Sequence, residues 1–343
     1  MSLLPNRHTR ETIVYWLTCR AAVTALSRRR LRRRLAIVMF HGVEARPLSP
    51  PCWHVLDVTT FRRQLQYIRR HFRVLPIEEA LERLENGTLP DRAAALTFDD
   101  GTRNLATQAA PVLRELGLPA SVFLATGPMG TDEALWPDRL WLALARTTAA
   151  QVDLTPIGRG VLELRTVEER GAAYGAAVDR FKELPDAERI EKLGALIGAL
   201  GQDSTDPGPF RLLSWDEARA MAADGLVTLH PHSVTHPILS TCDDAKVDHE
   251  IVESCAALER ETASATNVFA YPNGRARDFD ERARAALRRR GVRWALSTTN
   301  GYAAGDSDRL ALPRIPIGSD LSFARFRLLM SGTAEFGLRR RAV

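Results

Sequence analysis

The chain has 343 residues, 45% of them hydrophobic and 26% charged, an ordinary globular composition long enough for one large α/β domain or two small ones. Its net charge of +5 looks basic, but only Lys182, Lys192 and Lys246 of its 47 basic residues are lysines. Such an arginine bias is what a GC-rich genome produces, and with no zinc-finger, RNP or helix-turn-helix signature present, nucleic acid is not an expected partner. Cys19, Cys52, Cys242 and Cys255 are scattered without CxxC pairing, which suits reduced thiols rather than a disulfide framework.

In chain order, TIVYWLTC (12–19) is apolar but is cut by Arg20. A spanning helix needs about 20 mostly apolar residues, so this stretch reads as neither a membrane span nor a signal peptide, and the expected location is the cytoplasm. The run RRRLRRR (28–34) closes an N-terminal segment, 1–34. It reads as a solvated basic helix end, or alternatively as a peripheral contact with an anionic membrane surface. Beyond it, short β-like runs alternate with helical patterns, which argues for βα units and a parallel sheet. The expected strands are 35–40, 94–98, 120–125, 225–230, 267–271, 293–298 and 310–317. Helical patterns fill 59–72, 78–87, 104–117, 214–225, 246–261 and 279–291, with Ser214 and Asp278 as expected N-caps. Residues 131–213 break the rhythm with a helix (135–145), a hairpin-like stretch (151–165) and a helical pair (167–184, 186–200). They read as an insertion, a lid or side subdomain, in a domain spanning 35–330. A basic tail, 331–343, ends the chain.

The apolar strands end repeatedly in polar residues and glycine. Phe40 leads into His41-Gly42, Phe98 into Asp99-Asp100-Gly101, Leu229 into His230-Pro231-His232, and Tyr271 into Pro272-Asn273-Gly274. In a βα barrel those C-terminal strand ends share one face, where active sites are built. HSVTH, His232 to His236, sets two imidazoles four residues apart, a spacing from which both can reach one cation. With Asp100 as third ligand and open positions left over, this is a catalytic zinc-type site. Asp99 is then free to act as a base on the activated water. Taken singly, each signal has a plainer reading: HxxxH as a structural pair, and DDG as a strand-to-helix turn with a capping Asp.

Together and in this order, LTFDDG (96–101), HSVTHPILS (232–240) and FAYPNG (269–274) resemble the polysaccharide deacetylases of the NodB-homology type, carbohydrate esterase family 4. The resemblance covers about residues 35 to 320, interrupted by the insertion. It implies a distorted (β/α) barrel and one divalent metal ion, zinc first and cobalt or another ion next. The implied partner is an acetylated carbohydrate, from which N- or O-linked acetyl is removed. Carried over, Asp99 is the base, Asp100, His232 and His236 are metal ligands, and the backbone N–H of Asn273 joins the oxyanion hole.

Three family features are missing, one of them the Asp-Trp motif that supports the C-terminal His. Ala270 stands where the usual Arg contacts the base, and no His follows His249 to supply the usual C-terminal acid. His41, at the end of the first strand, is the expected replacement acid, because a closed barrel sets its first strand beside its last. Arg314 in LPRIPI is the candidate for the lost Arg. His230 is expected in a pocket or supporting role rather than as a fourth ligand, and Tyr271 in the substrate groove. The leading function is deacetylation of a sugar in a cell-surface polysaccharide or its precursor. The alternatives are hydrolysis of a small amide or imide, and a non-catalytic carbohydrate-binding relative.

Overall fold

The computed structural model describes residues 31–332 apart from 203–205 and 264. Most of the N-terminal segment, including the apolar 12–19 stretch and Arg28–Arg30, and the tail from 333 onward lie outside the described residues. No helix among the described residues is long and apolar enough to cross a membrane.

The described residues form twelve strands: β1 (Ala36–Phe40), β2 (Gly42–Glu44), β3 (Val55–Asp57), β4 (Arg73–Val74), β5 (Ala93–Phe98), β6 (Ala120–Leu124), β7 (Gln151–Asp153), β8 (Val161–Glu163), β9 (Val227–Pro231), β10 (Val268–Ala270), β11 (Trp294–Asn300) and β12 (Leu312–Pro316). Seven of them run in the order β10-β11-β12-β1-β5-β6-β9, all parallel, with β4 paired onto β5. The first strand therefore lies beside the last, as expected of a barrel. Runs such as AIVMF in β1 and ASVFL in β6 are buried at every position, as parallel strands covered on both faces must be.

Alternate residues sort into two apolar layers. Ala36, Val38, Phe40, Leu96 and Phe98 pack outward with the helices Val58–His71 and Ala110–Leu116. Ile37, Ala95, Phe123, Ala270, Leu296 and Leu312, from six different strands, meet in one cluster, which only a curled sheet permits. Ile77, Ala80, Leu81 and Leu84 of the helix Ile77–Glu85 join that cluster. They meet the strand starts Leu35, Ala93 and Val268 there, so this helix plugs the N-terminal end and leaves the C-terminal end for the site. The barrel is nearly closed: β9 and β10 are its two free edges. Just past those edges, His232 Nδ1 lies 2.7 Å from the Ala270 carbonyl.

Between β6 and β9 the chain forms the helix Trp136–Arg146, the antiparallel β7–β8 hairpin and the helices Val167–Phe181 and Asp186–Ala199. These share an apolar cluster, including Leu140, Trp141, Phe181 and Leu193. One expected cap is as foreseen: Ser214 forms a reciprocal capping box with Glu217. The other is corrected. Asp280, not Asp278, caps the helix Glu281–Arg289, because Asp278 is buried and accepts the Arg275 backbone N–H at 2.9 Å.

Candidate active site

Phe40 and Phe98 are register partners in β1 and β5, so His41 and Asp99 leave the sheet side by side, with Asp99 N–H donating to the Phe40 carbonyl at 3.0 Å. The chain then turns sharply. Asp100 has φ 73° and Gly101 φ 81°, and a Cβ on Gly101 would sit 2.6 Å from a Leu124 side-chain carbon. Only glycine fits that turn, and it is this turn that sends the two carboxylates in different directions.

Asp99 points into the barrel wall, where Arg314 meets it. Arg314 Nη1 donates to Oδ1 and Nη2 to Oδ2, each at 2.7 Å, and Arg314 Nε donates to the Ser297 carbonyl at 2.8 Å. Burial alone would raise the Asp99 carboxyl. The Arg314 charge and hydrogen bonds, with His232 adding to them, outweigh it and hold the group well below the usual carboxylate range.

Asp100 faces the other way, toward the two histidines. Its Oδ1 lies 3.6 Å from His232 Nε2 and 3.4 Å from His236 Nε2. Ligand atoms about 2.0–2.1 Å from a tetrahedral cation are separated by roughly these distances. Asp100 Oδ1 is also buried without a hydrogen-bond partner, and burial, with Asp138 and Asp99 adding to it, pushes this carboxyl up to about 8. A cation among these three donors removes both penalties, so the residues fit a divalent metal ion, and no other such group of donors occurs among the described residues. The His232 Nδ1–H bond to Ala270 sets the tautomer that leaves Nε2 free to ligate. Burial keeps His236 neutral, well below its ordinary value.

The HSVTH loop is held by groups that no motif singled out. The buried Glu250, on the helix Asp244–Thr262, accepts from Val234 N and Thr235 N at 2.8 Å each and from Thr235 Oγ1 at 2.5 Å. Trp136 Nε1 donates to the His236 carbonyl at 3.0 Å. Ser233 and His236 both have positive φ, 67° and 58°, and Ser233 Oγ accepts the His236 N–H.

A cavity of about 250 Å³ gathers His41, Asp99, Asp100, His232, His236 and Asn273. One wall, Leu135, Pro137, Asp138, Tyr174, Val178 and Lys182, comes from the segment between β6 and β9. Asn273 has φ 60°. Its carbonyl accepts from Thr298 Oγ1 at 2.6 Å, and Gly274 behind it has no room for a side chain. His41 lines the cavity with Nδ1 buried and unpartnered, and burial pushes its imidazole down to about 3.

The sequence reading missed His54. The Gly42 N–H donates to the His54 carbonyl at 3.1 Å, which sets its ring 5.7 Å from that of His41. His54 Nε2 meets Asp138 Oδ1 at 2.9 Å, and Cys52 Sγ lies 3.4 Å from Nδ1. Burial works against a charge on His54, but the Cys52 sulfur and the Asp138 carboxylate outweigh it and hold the imidazole well above its ordinary value. Nothing local in the sequence marks this pair, since 84 residues separate its members.

Two expectations are corrected. Tyr271 is fully buried outside the cavity, stacked on Phe279 at 3.8 Å with its hydroxyl donating to the Leu310 carbonyl. Tyr271 continues the outward side of β10 begun by Phe269, packing with the helices Asp244–Thr262 and Glu281–Arg289, while Ala270 between them faces inward. His230 is likewise absent from the cavity lining. It lies stacked on Phe123, with Nε2 3.0 Å from Thr228 Oγ1, two residues along β9 from the ligating end.

The model of the family described as polysaccharide deacetylase matches residues 86–295. The chain belongs to the polysaccharide deacetylase family. A deacetylase from Streptococcus pyogenes, PplD in complex with acetate, superposes with a TM-score of 0.55 at 18% identity, covering 87% of this chain and 98% of that one. IcaB from Ammonifex degensii superposes with a TM-score of 0.55 at 17% identity, covering 87% and 96%. These likenesses show the deacetylase-type (β/α) barrel. A curated relative, the poly-beta-1,6-N-acetyl-D-glucosamine N-deacetylase of Staphylococcus epidermidis, is 32% identical over 72 residues, 21% of this chain. The match spans 25% of that relative's length.

Proposed function

We propose that this deacetylase hydrolyses acetyl groups from an amino sugar of a cell-surface polysaccharide or its precursor, with one divalent metal ion, zinc by its two-imidazole, one-carboxylate donor set. The observation that carries the proposal is the division of labour between adjacent carboxylates. Asp99 is clamped in its ionised form by Arg314, while Asp100 faces His232 and His236.

When bound by Asp100, His232 and His236, the cation supplies Lewis acidity to the acetyl carbonyl and to the attacking water. Asp99 accepts the proton of that water, a role for which Arg314 keeps it charged and oriented. Asn273 lines the cavity, and its backbone N–H is the donor we assign to the oxyanion as it develops. His41, in register beside Asp99 and held neutral by burial, takes up the proton that Asp99 received from the water and delivers it to the leaving nitrogen. A second assignment of the acid rests on one observation: His54, paired with Asp138 in the same cavity, is the imidazole held in its protonated form.

The test is acetate release from N-acetylglucosamine oligomers and from a simple acetyl ester, with chelated protein reloaded with zinc or cobalt. Metal-dependent release that disappears in Asp99→Asn supports the reading. No release on any acetylated sugar despite one bound metal would turn it toward a small amide substrate or a binding-only protein.

A further inference from the structure

The cavity carries two cations that deacetylation itself does not use. Lys182, the C-cap residue of the helix Val167–Phe181, and Arg275, which follows Gly274, both line it. The acids of the cavity are all engaged: Asp99 by Arg314, Asp138 by His54, and Asp100 with the two histidines. Neither Lys182 nor Arg275 has an ion pair or a side-chain hydrogen bond among the described residues.

Of the two acids whose charge reaches Lys182, Asp278 accepts the Arg275 backbone N–H at 2.9 Å and lies 3.9 Å from Arg277, and Asp179 is exposed. Burial, then the Arg275 guanidinium, push the Lys182 ammonium below its ordinary value, so the two like charges lie close enough to repel. The partial negative charge of a helix C-terminus favours Lys182 but does nothing for Arg275. Two cations lining one cavity without acidic partners favour the entry of an anion. An ammonium and a planar guanidinium together match the oxygens of a phosphate or a carboxylate.

We propose that Lys182 and Arg275 form an anion subsite, and that the acetylated sugar taken by this cavity carries a phosphate or carboxylate group next to the acetyl being removed. The identity of the sugar rests on the deacetylase reading; the binding of the anion does not.

Calorimetric titration tests it, with N-acetylglucosamine 1-phosphate, N-acetylmuramic acid and neutral methyl N-acetylglucosaminide, on metal-free and on zinc-loaded full-length protein. The expected result is that at least one anionic sugar binds about tenfold or more tighter than the neutral one, with or without zinc. Which of the two binds tighter separates phosphate from carboxylate. The advantage falls in Lys182→Gln and in Arg275→Gln, vanishes in the double variant, and is largely kept in Arg275→Lys. An unchanged melting temperature certifies the fold of each variant. Equal binding of all three sugars, no binding of any, or an advantage that survives in the double variant overturns the proposal. Acetate release from neutral oligomers with no anion preference leaves the deacetylase reading standing and removes this one. Anion binding without acetate release from any sugar does the reverse.

Discussion

Arg314 holds Asp99 through two parallel hydrogen bonds of 2.7 Å although β1 lies between their strands in the sheet. Both side chains are buried, so the pair spans the inside of the barrel wall. Removing one partner of a buried pair leaves the other uncompensated, at about 3–5 kcal/mol. Arg314→Met is therefore expected to lower stability by that order in denaturant unfolding. Without the guanidinium, burial raises the Asp99 carboxyl, so the acid limb of the pH–rate profile moves to higher pH. An acid limb that stays where the wild type has it would sink the assignment of Asp99 as base. Asp99→Asn should cost roughly 10²–10⁴ in rate.

Glu250 governs the ligands without touching them. Its carboxylate accepts three hydrogen bonds from Val234 and Thr235, between the two histidines of the ligand set. Glu250→Ala is expected to weaken zinc retention about 10–100-fold, as loss of a supporting partner typically does, while one ion per chain still binds at saturation. Replacing Asp100, His232 or His236 by Ala should abolish stoichiometric zinc. Competition with a chromophoric chelator reads both, and a Glu250→Ala affinity equal to wild type would remove the supporting role.

The pair of His54 and Asp138 makes stability depend on pH in a stated direction. The folded value of His54 is raised above its ordinary 6.5. Its contribution is therefore fully present below about pH 6.5 and is lost as pH rises through the raised folded value. Asp138→Asn removes one of the two partners that raise this value, leaving only the Cys52 sulfur against burial, and so lowers it. The stability gap between wild type and Asp138→Asn should thus widen as pH falls below about 6.5 and narrow on the alkaline side. Urea midpoints measured between pH 5 and 9 on the order of one unit apart would show it, and a gap independent of pH would contradict it.

The two histidines of the acid end separate by leaving group. A poor amine leaving group needs a proton and an activated ester does not. Whichever residue is the acid should, as Ala, lose about 10²–10⁴ on N-acetyl sugars and far less on the ester. The expected acid is His41. Loss confined to His54→Ala would move the role to the residue held protonated by Asp138.

The alternation of short apolar runs with helical patterns was enough to place all seven barrel strands, because a fully buried parallel strand must be apolar at every position and must be followed by a helix. The polar residues at their C-terminal ends were equally legible, since Asp99, Asp100, His232 and His236 interrupt apolar runs that a core has no reason to break. Arg314 was named from its place on the last strand, but its bond to Asp99 needed the sheet order. Tyr271 and His230 could not be placed by position alone: Tyr271 follows Phe269 on the outward side of β10, and His230 stacks on the inner Phe123 two residues before the ligating end of β9. His54, Asp138, Glu250 and Trp136 left no mark in the sequence at all. Their partners are 84, 15 or 16, and 100 residues away, and such contacts exist only once the barrel has closed and the segment between β6 and β9 has packed over its open end. Local pattern determined which residues do the chemistry; long-range packing decided what holds them, because charge and orientation at a buried site are set by neighbours that the chain brings together only on folding.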